Sequence, residues 1–341
     1  MLFGKRSKPP VNLALQGGGT HGAFTWGVLD ALLRDGRLHF DAVSGTSAGA
    51  MNAVVLAHGL LDGGREGAIF ALRRFWESVA RSSPFELAAP GPDGDLTTLS
   101  PATRMMLQWA RHFSPQQLNP FDINPLRDIL DDHVDFERLR AESPVKLFIA
   151  ATHVNTGKLR IFQTHELTAE ALLASACLPA ISRAVEIDGE PYWDGAYSAN
   201  PAVFPLFYDS PAADIILVLL SPLLHGTTPQ DATAIRDRVM DLGFNATFLR
   251  EMRMYAHASE FAARSHFPHG RLERRLLGTH FHMIEAEELM SQLAAETKLA
   301  ISLPFIEMLS DQGRARAQAW LDAHYDSVGK TSSIDIRALF Y

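Results

Sequence analysis

The sequence predicts an α/β protein of the three-layer α/β/α type, with helices on both faces of a mainly parallel central sheet. Two observations carry this. The opening segment alternates apolar runs with stretches of helical period, and both apolar runs end in glycine-rich turns. Two strand–helix units in succession imply a right-handed βαβ crossover and a parallel sheet. At 341 residues, with 47% hydrophobic and 21% charged side chains, the chain has material for one large domain or two small ones with a substantial core.

Val11–Gln16 is apolar throughout and reads as a buried strand, stopped by Gly17-Gly18-Gly19. Ala23–Leu33 carries Phe24, Val28, Leu29 and Leu32 at helical spacing and is closed by Asp35-Gly36. Phe40–Ser44 and Ala48–Ala57 repeat the pattern, and Glu66–Val79 is a further amphipathic helix. The stretch 82–124 differs: Pro84, Pro90, Pro92, Pro101, Pro115 and Pro120 surround an apolar helix, Met105–Phe113, as expected of an insertion over one face of the sheet. Lys146–Val154 and Leu159–Phe162 are strands joined by the turn Asn155-Thr156-Gly157. Ala169–Cys177 is a helix, Ile181–Trp193 is extended and turn-rich, and Asp214–Leu220 is a buried strand. Ala232–Ala263 is mostly helical, His280–Ile284 is a late strand, and Pro304–Ala323 is the last long helix. The resulting division is a basic tail at 1–10, a core domain at 11–222 with its insertion, a helical part at 223–326 packed on the same domain, and a polar tail at 327–341. Ala338-Leu339-Phe340-Tyr341 at the end of that tail is apolar enough to dock back.

The net charge of -8 argues against nucleic acid as a partner, because phosphate neutralisation requires a basic face. Lys5, Arg6 and Lys8 have no apolar stretch of signal-peptide length behind them. The single cysteine, Cys177, lies in the apolar run Ala171–Ala180 and is expected to be a buried inert thiol. A cytoplasmic protein is the expectation, with peripheral membrane contact left open.

Gly45-Thr46-Ser47-Ala48-Gly49 reads as a nucleophile elbow: a serine at a sharp strand-to-helix turn, its hydroxyl at the positive end of the helix. Gly17-Gly18-Gly19-Thr20-His21-Gly22 also follows a strand and opens a helix, so its backbone N–H groups converge on one point that suits a phosphate or a transient oxyanion. The same G-x-G-x-x-G pattern matches a dinucleotide-binding loop, which requires a carboxylate at the end of the second strand, about 20 positions on. Asp41 has the distance but stands at the start of that strand, and the strand's end is occupied by the elbow. Asp194-Gly195-Ala196 supplies a carboxylate; an Asp-Gly pair alone is most often a turn, but a serine alcohol needs a positioned base.

These three motifs, in this order, resemble the patatin-like phospholipase family over about residues 11–220, and Ala174–Ala180 is similar to the family's small-residue segment ahead of the aspartate. The resemblance implies a lipid acyl hydrolase without metal or organic cofactor, acting on a lipid or other acyl ester. It implies Ser47 as nucleophile, Asp194 as its activating base in a Ser–Asp dyad, and the amides of Gly17, Gly18 and Gly19 as oxyanion hole, with Gly22, Gly45, Gly49 and Gly195 as the remaining motif glycines. One departure stands out: His21 occupies the position where the family usually has arginine or lysine. A dinucleotide-dependent oxidoreductase and a non-catalytic lipid-binding protein of the same fold are the alternatives.

Among fourteen histidines, His225 is placed best by chain order for a Ser–Asp–His triad, but beside Gly226 it reads as a loop residue. His257, His266 and His269 read as surface positions. His280 and His282 alternate on a strand and share a face, yet no carboxylate stands at metal-ligand spacing near them in sequence. Met105, Met106, Leu107, Trp109 and Phe113 form either core packing or an acyl-binding, interfacial surface.

Overall fold

The computed structural model of the chain describes residues 8–82, 95–110, 112–265 and 268–341. Most of the basic tail, Pro84, Pro90, Pro92 and His266 lie outside the described residues. The strands are β1 Pro10–Leu15, β2 His39–Thr46, β3 Lys146–His153, β4 Leu159–Gln163, β5 Val185–Ile187, β6 Glu190–Asp194, β7 Asp214–Val218 and β8 His280–Ile284. The helices are α1 Gly22–Asp35, α2 Ala48–Ser82, α3 Pro101–Ala110, α4 Pro115–Leu118, α5 Pro125–His133, α6 Phe136–Glu142, α7 Ala169–Ser175, α8 Phe204–Asp209, α9 Ala232–Ala263, α10 Arg271–Leu277, α11 Glu287–Met290, α12 Leu303–His324 and α13 Ile336–Phe340.

The sheet runs β5-β6-β3-β2-β1-β7-β8, with β4 also paired to β3. The pairs from β3 through β8 along this order are parallel, and β4, β5 and β6 form an antiparallel edge. The side-chain alternation of a strand divides the core into two layers. Val11, Leu13, Leu15, Ile216 and Val218 point into the larger layer, against α1, α2, α7 and α12. Ala14, Ile215 and Leu217 point to the other, against α8, α9 and Phe340 of α13. The three-layer expectation is thereby met, and the terminal apolar residues do dock back, with Phe340 edge-on to Phe248 at 5.7 Å.

Differences from the sequence reading are local. α2 is broken at Gly63-Gly64, where the backbone leaves helical geometry, so the two separately expected helices form one bent run. The insertion helix ends at Ala110, and Phe113 lies past it. The late strand His280–Ile284 joins the parallel sheet beside β7, which makes the carboxyl-terminal part a contributor to the central layer. No helix among the described residues is long and apolar enough to cross a membrane.

Candidate active site

Adjacent parallel strands deliver the two glycine motifs to the same edge of the sheet. β2 ends at Thr46, α2 begins at Ala48, and Ser47 between them has φ of 54°. A non-glycine residue in the left-handed region is strained by roughly 1–3 kcal/mol, and it persists only where the surroundings fix it. Here the Ser47 N–H donates to Ser175 Oγ at 2.9 Å, and the Ser47 carbonyl accepts the first helical bond from Met51 N–H at 3.1 Å. The turn also requires close backbone approach. A Cβ on Gly49 would stand 2.2 Å from the Leu15 carbonyl oxygen, and one on Gly45 would stand 2.5 Å from that of Gly49.

Asp194 arrives on β6. Its N–H donates to the Cys177 carbonyl at 2.8 Å, and its Oδ1 accepts the Ala196 N–H at 2.8 Å. The Ser47 side chain lies close enough to its carboxylate to draw the pKa down. The structure therefore brings together two residues 147 positions apart in a buried site, Asp194 being 1% exposed. Burial pushes the Asp194 carboxyl up to about 7, against the opposing pull of the Ala196 N–H and the nearby Ser47 side chain. Such a carboxylate is a far better proton acceptor near neutral pH than an exposed aspartate.

The glycine loop lies beside them. A Cβ on Gly17 would meet the Thr46 carbonyl oxygen at 2.7 Å and Ser47 Cβ at 2.8 Å, so loop and elbow are in contact. The Gly17 N–H donates to Asn200 Oδ1 at 2.7 Å. Of the three loop amides it is the one already bonded within the protein. Gly19, with φ of 58°, is roofed by the short helix Ala295–Leu299: a Cβ there would stand 2.2 Å from the Lys298 carbonyl oxygen.

His21 is buried, and its Nε2 lies 2.8 Å from Thr297 Oγ1. Burial, with the Lys298 ammonium as a lesser influence, lowers its pKa to about 3, so the ring is neutral and carries no fixed positive charge. Asp41 is far from the glycine loop along β2 and accepts from Ser210 Oγ at 2.6 Å, which removes the ribose-binding carboxylate that a dinucleotide reading needs. No hydrogen bond among the described residues joins His225 to Ser47 or Asp194; burial lowers its pKa, and Arg238, Asp241, Glu287 and Lys298 are its charged neighbours. Cys177 is buried and donates to the Arg183 carbonyl at 2.8 Å; burial pushes the thiol up to about 12.

His280 and His282 do have a carboxylate, contrary to the expectation from sequence spacing. Asp214 on the neighbouring strand lies 3.3 Å from His280 Nδ1 and 3.0 Å from His282 Nε2. The cluster sits at the start of β7, away from Ser47, and ties down the tail through Gly329 N–H and Ser333 Oγ.

Five supporting side chains escaped the sequence reading. Gln16 donates to Asn245 Oδ1 at 2.8 Å and to the Asn200 carbonyl at 3.3 Å, and its Oε1 accepts from Leu220 and Ser221 N–H. Asn200 thus holds Gly17 while Gln16 fixes Asn200 to α9. Glu251 of α9 accepts from Val203 and Phe204 N–H, and burial pushes its carboxyl up to about 7. Ser175, which holds the elbow, lies in the small-residue segment already singled out, and that was its only signal.

A sequence model of the patatin-like phospholipases matches residues 13–207. No curated protein matches the chain significantly. Among solved structures, VipD from Legionella pneumophila aligns with a TM-score of 0.43 at 14% identity, covering 98% of this chain and 73% of its own.

Proposed function

The chain belongs to the patatin-like phospholipase family, and on that premise we propose that it is a serine acyl hydrolase of lipid esters, working through a Ser47–Asp194 dyad. Lipid acyl hydrolysis is the family-level activity; the dyad and the oxyanion hole are the finer reading. The observation that carries it is the pairing of the strained elbow serine with a buried aspartate whose proton affinity is raised to about 7.

In this mechanism Asp194 accepts the Ser47 proton as Ser47 Oγ forms a bond to the ester carbonyl carbon. The N–H groups of Gly18 and Gly19 receive the developing oxyanion, assisted by the amino-terminal ends of the helices that follow each motif. Gly17 is left out of the hole because its N–H already donates to Asn200. Collapse breaks the bond to the leaving alcohol, which takes the proton from Asp194. Water then gives a proton to Asp194 as it attacks the acyl-enzyme, and collapse releases the fatty acid and returns the proton to Ser47. The scheme uses no metal and no organic cofactor.

Access to membrane lipid through the insertion is part of the proposal. Met105 and Trp109 are 70% and 62% exposed, and Met106 is exposed too, which argues against core packing. The test of the central claim is Ser47→Ala. The variant should fold, cleave no acyl ester and take up no fluorophosphonate; labelling that persists would remove Ser47 from the mechanism.

A further inference from the structure

The carboxyl-terminal third of the chain, beyond the family-matched residues, carries an apolar surface that the dyad does not use. α9 is 32 residues long, about 48 Å at ~1.5 Å per residue, and outruns the sheet it packs on. Its buried positions begin at Asn245 and continue through Phe248, Met252 and Tyr255. Asn245 bonds Gln16, one residue past the end of β1. The preceding turns, Ala232–Phe244, therefore run about 20 Å along the helix axis past Asn245, on the side of the sheet at which Ser47 sits.

The polarity of this overhang is inverted. Its inward side is polar or aromatic: Arg238 donates to the Thr227 carbonyl, Asp241 pairs with Lys298 at 2.7 Å, and the Phe244 ring lies 5.0 Å from that of Tyr197. The outward side is an apolar stripe at i, i+4, i+7 formed by Ile235, Val239 and Leu242, all exposed, the last two by 61% and 52%. A surface helix of a soluble domain ordinarily turns such a stripe inward. A second exposed apolar group, Met105, Met106 and Trp109, stands on α3. Both groups are anchored to the short helix that roofs Gly19: Arg104 of α3 pairs with Glu296, and Asp241 of α9 pairs with Lys298.

We propose that the amino-terminal half of α9 and the insertion helix α3 are two arms that seat the active-site edge on a lipid bilayer. The occupant follows from the family, whose substrates are lipid esters, and from position, because both arms flank the roof of the glycine loop. The choice of bilayer therefore rests on the acyl-hydrolase proposal. Attachment is apolar. The chain's net charge is -8, and the overhang sets Arg236 and Arg238 against Asp237 and Asp241, so neither sign of charge dominates.

The experiment uses the full chain carrying Ser47→Ala, which leaves lipid uncleaved, sedimented with phosphatidylcholine vesicles at low and high salt. It should bind, with little salt dependence. Val239→Glu together with Leu242→Glu in that background should weaken binding roughly tenfold or more, since two apolar side chains leave the interface. Arg236→Glu on the same helix should leave binding unchanged, and melting temperatures should not move, because none of these side chains is buried. In the chain that retains Ser47, the double substitution should change hydrolysis of a short soluble ester by less than about twofold. Wild-type binding by the double variant, or no binding by the Ser47→Ala chain, overturns the proposal. So does self-association that the double variant abolishes, which would assign the stripe to a second copy of the chain. Failure of the hydrolase proposal has a different signature: no ester is cleaved, while vesicle binding persists.

Discussion

Asp194→Asn separates what the aspartate does for the reaction from what it does to the fold. Burial raises the Asp194 carboxyl from an ordinary value of 3.8 to about 7. At ~1.36 kcal/mol per pH unit that displacement corresponds to about 4 kcal/mol. The folded protein holds this proton more tightly than the unfolded chain does. The stability it confers is therefore complete below about pH 4, falls as pH rises, and is gone once the folded carboxyl ionises above about pH 7. Asparagine keeps an acceptor for the Ala196 N–H and never ionises. Near pH 4 the variant and its parent should melt almost together. At about pH 8 the variant should be the more stable, by up to about 4 kcal/mol, and melt several degrees higher. Catalysis runs the other way. The parent's activity on a short chromogenic ester should rise about tenfold per pH unit below about 7 and level off above it, because only the carboxylate accepts the Ser47 proton. The variant should lose about 10²–10⁴ in turnover on the plateau, whereas His225→Ala, a position with no bond to the dyad, should change it by less than about tenfold. Thermal melts and initial rates across this pH range check both halves. A flat pH profile, a variant no more stable than its parent at high pH, or a His225→Ala defect equal to that of Asp194→Asn would refute the reasoning.

Two further outcomes test the loop and the insertion. Asn200→Ala leaves the buried Gly17 N–H without its acceptor, an effect of roughly 1–3 kcal/mol, and should lower kcat about ten- to a hundredfold with KM for a soluble ester little changed; a change confined to KM would mean that Asn200 does not position the oxyanion donors. Met106→Glu and Trp109→Glu should depress hydrolysis of vesicle lipid steeply while sparing a soluble ester and the melting temperature, and equal loss on both substrates would make α3 a packing element instead.

What the sequence made legible was whatever the local backbone demands. Gly49 must be glycine because the strand beside it passes within van der Waals distance, and Ser47 must sit at a strained turn because β2 hands directly over to α2. Both demands are written within five residues, so the elbow can be read without a fold. The exposure of Met105 and Trp109 was harder, since helical spacing gives the same pattern in a core helix and an interfacial one; only their exposure in the fold separates the two. Asp194 was legible through its order relative to the two glycine motifs, not through its own surroundings.

The supports of the site were not legible, for a physical reason. Asn200 reaches Gly17 across 183 positions and Asn245 reaches Gln16 across 229, and each is a single polar residue in an ordinary local context. The same holds for Asp214, whose partners His280 and His282 stand on the next strand, so a search for ligand spacing along the chain misses it. Buried polar groups need partners wherever the fold provides them, and a parallel sheet brings together strands that are far apart in sequence. One consequence follows for the family-matched segment 13–207. Its glycine loop is held at Gly17 by Asn200, which Gln16 links to Asn245 of α9; the loop after Asp194 is held by Glu251 of the same helix. The matched segment carries the proposed dyad, while α9, outside it, holds two of the loops beside it.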